Sequence, residues 1–274
     1  MDYFRPRSVE EAVTLGQSPG AAFLGGGTDL VLQMRQGKVS PQCLIDVHNL
    51  AELKEIRRNG DVLELGSMVT FSELSDSNLL QDSARALWLA CQTMGSPAIR
   101  NQATIGGNLG NGSPAADAIP ALLALDAEVC LRSQVGEEVV SLAVFLERYP
   151  LLAPGTLIWK FLVPLRGWQS GFAKLGRRRA LAIARLSVAV ALKTEGETVM
   201  DLRVAFGAVG KRAFLSPALA ARFSGRELDV HWRTEMISGS QELVRETLKT
   251  RASAPYKAVA VGGVMHQALM LLQE

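Results

Sequence analysis

The chain has 274 residues, 48% hydrophobic and 20% charged, enough to bury a substantial core as one large domain or two ordinary ones. Its 29 basic and 27 acidic residues leave a net charge of +2 spread along the chain, which excludes the electrostatic footprint of a nucleic-acid surface. No stretch approaches the roughly 18 uninterrupted apolar residues of a membrane span, and the opening MDYFRPRSVEE lacks the apolar core of a signal peptide, so a cytoplasmic protein is expected.

Ser8, with Glu11 three residues on, reads as a capping box opening a helix whose Val9, Ala12 and Val13 share one face and which ends near Gly16. Ala21 to Leu24 then reads as a strand, Asp29 to Gln36 as a helix stopped by Gly37, and Cys43 to Val47 as a second strand, together a small βαβ unit. Leu63 and Leu65 alternate with polar neighbours in a further strand, and Thr70 with Glu73 forms a second capping box. Leu80, Ala84, Leu87, Cys91 and Met94 follow at helical spacing, which predicts one long amphipathic helix. Ala121 to Leu125 suits a helix, and Val129 to Leu131 and Leu157 to Val163 suit strands. A domain boundary fits near Arg166 to Ser170.

Beyond it, β-branched alternation on both sides of Thr194 to Glu197 predicts a long hairpin. Helices follow: one starting at Ser216 before Pro217, a charged one over Gln241 to Lys249, and an apolar one over Tyr256 to Leu272. Sheet first and helices after argues α+β for this half.

Two glycine-rich runs stand out. The first, AAFLGGGTDLVLQ, lacks both GxGxxG and GxxxxGK[ST], so neither common nucleotide fingerprint applies. Still, Gly25, Gly26 and Gly27 ahead of a helix leave bare amides and a positive dipole end for an anion, and Thr28 adds a hydroxyl; phosphate is the natural guest. A tight strand-to-helix turn with Asp29 as N-cap is the competing reading. The second run, NQATIGGNLGNGSPAAD, reads as a loop whose glycines and asparagines turn amides into a concavity. Two such loops from separate subdomains could close over a diphosphate.

Cys43, Cys91 and Cys130 are too scattered for a zinc or iron–sulfur site and read as buried small hydrophobes; His48, His231 and His266 are equally isolated. No metal site is expected. Redox chemistry here would need a borrowed cofactor.

The stretches FRPRSVEEAV, FLGGGTDLV, IDVHNLAEL, IRNQATIGGNLGNGSPAAD and FAKLGRRRALAIARLSVA resemble the FAD-binding, or medium, subunits of the molybdenum hydroxylases, the family of xanthine dehydrogenase and carbon monoxide dehydrogenase. The resemblance runs over nearly the whole chain. It implies an α+β fold: a PCMH-type FAD-binding domain of two subdomains over residues 1–167, then a C-terminal domain of sheet and helices over 168–274. It assigns the FAD diphosphate and ribityl chain to Phe23, Leu24, Gly25, Gly26, Gly27, Thr28 and Asp29 of the first run and to Ala103, Thr104, Ile105, Gly106, Gly107 and Asn108 of the second. Asp117 matches an acid that hydrogen-bonds the cofactor and Lys174 a lysine near it. Capping of the following helix is the alternative for Asp117. Lys174 stands beside Arg177, Arg178 and Arg179, a basic run that suits a solvated face, FAD or an acidic partner subunit. The sequence departs from relatives at Met94, where some carry an aromatic, and at Gly110, where some carry a bulky residue beside the flavin.

Flavin would supply the redox chemistry, so no catalytic acid or base is required. The resemblance further implies an iron–sulfur subunit delivering electrons, a molybdenum-cofactor subunit oxidising the substrate, and NAD or another acceptor. A stand-alone FAD oxidoreductase of the same fold, similar to the enolpyruvyl reductases, and an assembly subunit that has lost FAD are the alternatives.

Overall fold

In the computed structural model, which describes residues 1–176 and 183–272, the chain runs β1 (Asp2–Phe4), α1 (Val9–Leu15), β2 (Ala21–Leu24), α2 (Leu30–Arg35), β3 (Cys43–Asp46), β4 (Ile56–Asn59) and β5 (Val62–Gly66). Short helices follow: α3 (Phe71–Ser75), α4 (Asn78–Ser83), α5 (Arg85–Thr93), α6 (Pro97–Arg100), α7 (Ile105–Gly110) and α8 (Ala118–Ala124). Then come β6 (Glu128–Ser133), β7 (Gly136–Ser141), α9 (Leu142–Glu147), β8 (Leu157–Pro164), β9 (Gln169–Gly176), β10 (Ala184–Glu195), β11 (Thr198–Gly207), β12 (Phe214–Leu215), α10 (Pro217–Phe223), α11 (Val230–Leu248) and α12 (Ala254–Met270). The mixture of helices and separate sheets is the α+β class expected.

Contacts divide the chain into two units whose segments interleave. One holds Met1–Leu74, Ser96–Gly112 and Ala127–Pro164; the other holds Ser75–Gly95, Ser113–Asp126 and Leu165–Glu274.

The first unit contains two sheets. β1, β3 and β2 form a parallel sheet in that order, with Leu24 opposite Asp46 and the ladder carried one residue further by the Val47 amide donating to the Leu24 carbonyl at 3.0 Å. Cys43 and Ile45 pack with Val9, Ala12 and Val13 of α1, and Phe23 lies against the same cluster. Ser8 caps α1 as predicted, its Oγ accepting from the Glu11 amide at 3.2 Å, while the Glu11 carboxylate reaches one residue further back and takes the amide of Arg7 at 2.7 Å. The antiparallel sheet β4-β5-β8-β6-β7 carries a polar knot. Glu64 accepts from Arg57 (2.9 Å), Asn59 (3.0 Å) and Lys160 (2.8 Å). These donors, Asn59 and Lys160 first, hold its carboxyl down at about 2.

The second unit is built on the antiparallel sheet β12-β11-β10-β9. Leu186, Val188, Val190, Val204 and Phe206 of its strands share a core with Trp232 and Met236 of α11 and with Val261 and Met265 of α12. α8, with every side chain buried, lies on β10 and β11; an added Cβ on Gly207 would meet the Pro120 ring at 2.7 Å.

Several expectations change. The stripe from Leu80 to Met94 is two helices, because Ala84 (φ −140°, ψ 48°) breaks the ladder and only its apolar spacing continues; Met94 is the C-cap of α5. The second glycine run is not an open loop: Thr104 accepts the Gly107 amide at 3.1 Å and caps α7. The charged helix begins at Val230, eleven residues before Gln241, because Asp229 caps it through the Trp232 amide at 2.6 Å. The edge strands β1 and β7 carried no period-2 apolar signal. Arg177, Arg178 and Arg179 lie outside the described residues.

Candidate cofactor site

β2 delivers the first glycine run at the carboxyl edge of the parallel sheet, the edge where ligands of α/β sheets bind. Among the described residues, the backbone amides of Gly25, Gly26, Gly27 and Thr28 find no acceptor. All four residues are half-buried. Gly27 sits at φ +69°, a conformation open to glycine at no cost. α2, at six residues, is too short for a dipole of consequence, so the donors are the loop amides themselves. Asp29 occupies the N-cap position without a side-chain cap bond and is exposed, so the capping reading fails.

The second run behaves differently. Its amides are spent inside the protein: Ile105 donates to the Val69 carbonyl (3.0 Å), Gly106 to that of Ser67 (2.8 Å), Gly107 to Thr104 Oγ1 and Asn108 to the Thr104 carbonyl (2.9 Å). Ala103, Thr104, Ile105 and Gly106 are buried, which leaves exposed Gly107 and half-buried Asn108 as the presented residues. Asn108 Oδ1 is buried without a partner among the described residues.

The two runs meet within one unit, not across separate ones. A Cβ on Gly26 would lie 1.7 Å from the Gln102 carbonyl oxygen, and one on Gly25 would lie 3.1 Å from Thr104 Oγ1. Gly26 is therefore glycine because protein backbone occupies its side-chain space. Gly106 answers to the same cause, with Ser67 Cβ at 2.6 Å. Phe23 turns its ring into the α1 core, where it fills the space beside Gly16. Leu24 lies against Gly27. Gln102 was not foreseen, since a backbone carbonyl leaves no mark in sequence.

In the second unit, Asp117 leads into α8 but makes no cap bond, so the capping alternative fails here too. Its Oδ2 accepts from Lys174 Nζ of β9 at 2.7 Å, with both side chains over nine-tenths buried. Burial pushes the Asp117 carboxyl up to about 6 even though Lys174 pulls it down. Asp117 Oδ1 has no partner among the described residues. A buried carboxylate oxygen left unpaired costs about 1–3 kcal/mol or more unless a bound group satisfies it.

Four amides in series without an acceptor among the described residues suit an anionic group such as a phosphate. Residues 1–166 match the FAD-binding domain of molybdopterin dehydrogenases, and residues 172–271 match the C-terminal domain of the carbon monoxide dehydrogenase flavoprotein; the chain belongs to this family, and FAD is its cofactor. It is 29% identical over 274 residues to the nicotinate dehydrogenase FAD-subunit of Eubacterium barkeri, covering 96% of this chain and 93% of that one. It is 31% identical over 212 residues to the xanthine dehydrogenase FAD-binding subunit of Escherichia coli O157:H7, covering 75% and 73%. The solved carbon monoxide dehydrogenase of Hydrogenophaga pseudoflava contains a chain that superposes with a TM-score of 0.91 at 27% identity, covering 99% of this chain and 96% of that one. The chain is an FAD-binding subunit of the molybdenum hydroxylase type.

The three cysteines are buried, as expected. No helix among the described residues is long and apolar enough to cross a membrane.

Proposed function

We propose that this subunit is the flavin link of a hetero-oligomeric dehydrogenase, taking electrons from an iron–sulfur subunit after a molybdenum-cofactor subunit has oxidised the substrate, and passing them to NAD or another acceptor. The observation that carries the FAD assignment to residues is the row of unpaired amides from Gly25 to Thr28. These amides and the Thr28 hydroxyl donate to the diphosphate. Gly107 lets it approach, and Asn108 hydrogen-bonds the adjoining chain of the cofactor. In its own unit Asp117 offers Oδ1 as an acceptor, while Lys174 holds the carboxylate in place and keeps it charged. FAD, when bound, accepts and returns the electrons. The protein's part is to fix it in position and shape the field around it. Relatives described as a medium chain or an FAD-subunit belong, by those names, to enzymes of several chains, which supports the same arrangement here.

The test has two arms. Cofactor released by heat or acid from the purified chain and identified by chromatography should be FAD, and uptake of FMN equal to FAD would overturn recognition through the diphosphate. A colourless chain unable to take up FAD would favour the assembly subunit. Co-expressed with iron–sulfur and molybdenum subunits, the chain should form a complex in which substrate reduces the flavin. Full turnover of substrate by the isolated, metal-free chain would instead favour the stand-alone oxidoreductase.

A further inference from the structure

Gln33 of α2 and Asn111, the C-cap of α7, lie 78 positions apart in sequence, yet Gln33 Nε2 donates to Asn111 Oδ1 at 2.9 Å. We propose that this hydrogen bond is a clasp setting the spacing of the two glycine-bearing segments, which makes Gln33 and Asn111 positioning residues for the FAD diphosphate. The inference rests on the assignment of the Gly25–Thr28 amides above.

The two segments are anchored unequally. α7 is fixed from within: Ile105, Gly106 and Leu109 are buried, Thr104 caps its start, and the amides of Ile105 and Gly106 are tied to Val69 and Ser67. Asn111 is fixed in turn by its own amide, which donates to the Gly107 carbonyl at 3.0 Å. α2 has no such footing. None of its side chains is fully buried, and Leu32 is 51% exposed, so core packing alone leaves its placement weakly determined.

Two contacts tie the first run and α2 to the segment that carries α7. At the level of the loop, Gly26 abuts the Gln102 carbonyl, an approach closer than any side chain permits. Beyond the loop, Gln33 reaches Asn111. The unpaired amides of Gly26, Gly27 and Thr28 sit in the stretch of chain that these two contacts span, and that of Gly25 directly precedes it. Donors held in place before the ligand arrives bind it at lower entropic cost, and a row of amides is useful only while its members converge. An exposed hydrogen bond between side chains adds little to global stability, so its contribution belongs to geometry.

Flavin dissociation rates measured by recovery of FAD fluorescence, together with urea unfolding of the apo form, test the clasp. Gln33→Asn shortens one arm by a methylene and should speed FAD release roughly five- to tenfold, with the apo unfolding midpoint unchanged. Asn111→Gln should mis-set the distance in the same sense. The exchange of both, Gln33→Asn with Asn111→Gln, restores the combined reach without altering charge and should bring release back to within about twofold of the parent. Unchanged release in both single variants, from a parent that does hold FAD, overturns the clasp alone. So does faster release that follows a loss of apo stability and is not restored by the exchange. A parent chain that holds no FAD overturns the cofactor assignment itself, and the clasp with it.

Discussion

The side-chain space of Gly26 is occupied by the carbonyl oxygen of Gln102, which an ideal Cβ would approach to 1.7 Å. Neither backbone can retreat without unpacking its loop. Gly26→Ala is therefore expected to lower stability by about 2–3 kcal/mol or more. At Gly107 the nearest atom to an added Cβ is Thr104 Oγ1, at 3.0 Å, and that residue is exposed and helical. Gly107→Ala should stay within about 1 kcal/mol of the parent, since helix propensity offsets the crowding. Urea unfolding of the two apo variants checks the contrast, and equal losses would refute it.

Asn108 isolates ligand contact from folding. Asn108→Ala removes an oxygen that has no partner among the described residues and introduces a better helix former. Apo stability should hold or rise slightly while FAD affinity falls about tenfold, near 1.4 kcal/mol. Quenching of flavin fluorescence on titration gives the affinity. Unaltered affinity would remove Asn108 from the site.

Asp117 and Glu64 predict opposite responses to pH. Burial raises the folded Asp117 carboxyl from 3.8 to about 6, so the folded apo protein holds that proton more tightly than the unfolded chain does. Its contribution is complete below 3.8 and is lost as pH rises through 6. Asp117→Asn should flatten this part of the stability profile. Chemical denaturation of the apo protein at half-unit steps from pH 4 to 7.5 would show it, and an identical slope in the variant would assign the effect elsewhere.

For Glu64 the sign reverses. Its carboxyl lies at about 2 rather than 4.5, so its contribution is present above 4.5 and lost as pH falls toward 2. The shift corresponds to about 3 kcal/mol at neutral pH. Glu64→Gln should cost a substantial part of that at pH 7 and much less near pH 2. A cost independent of pH would mean that shape, not charge, is what Glu64 supplies.

Local chemistry was legible wherever a side chain acts on its own neighbourhood. Ser8, Thr70 and Ser216 each cap the helix their spacing announced, and β2 runs over Ala21–Leu24 as read. The βαβ unit follows from the same local cues. What stayed hidden depends on distant chain. Glycines in the second run read as a loop because glycine usually marks a turn, whereas Gly106 is there to let helix α7 touch Ser67. Periodicity carried the apolar stripe past Ala84 because it registers which residues face the core and is blind to a break that keeps them there. Of the residues read as the site, the first run keeps its amides without acceptors among the described residues, and Asp117 pairs with Lys174. In the second run the amides of Ile105 and Gly106 are taken by Val69 and Ser67, more than thirty residues earlier, a pairing that local sequence does not announce.

The interleaving of the two units has a consequence for synthesis on the ribosome. α8 is sheathed on all sides once folded, yet the strands it rests on, β10 and β11, are translated well after it. At roughly 5–20 residues per second, its apolar surface waits several seconds for its cover. Through that interval the nascent chain leaves the face of α8 that meets β10 and β11, Pro120 included, open to any chaperone or stray hydrophobic partner. Yield in a cell should therefore respond to holdase supply and to translation speed across residues 125–207 more than to the final stability of the fold.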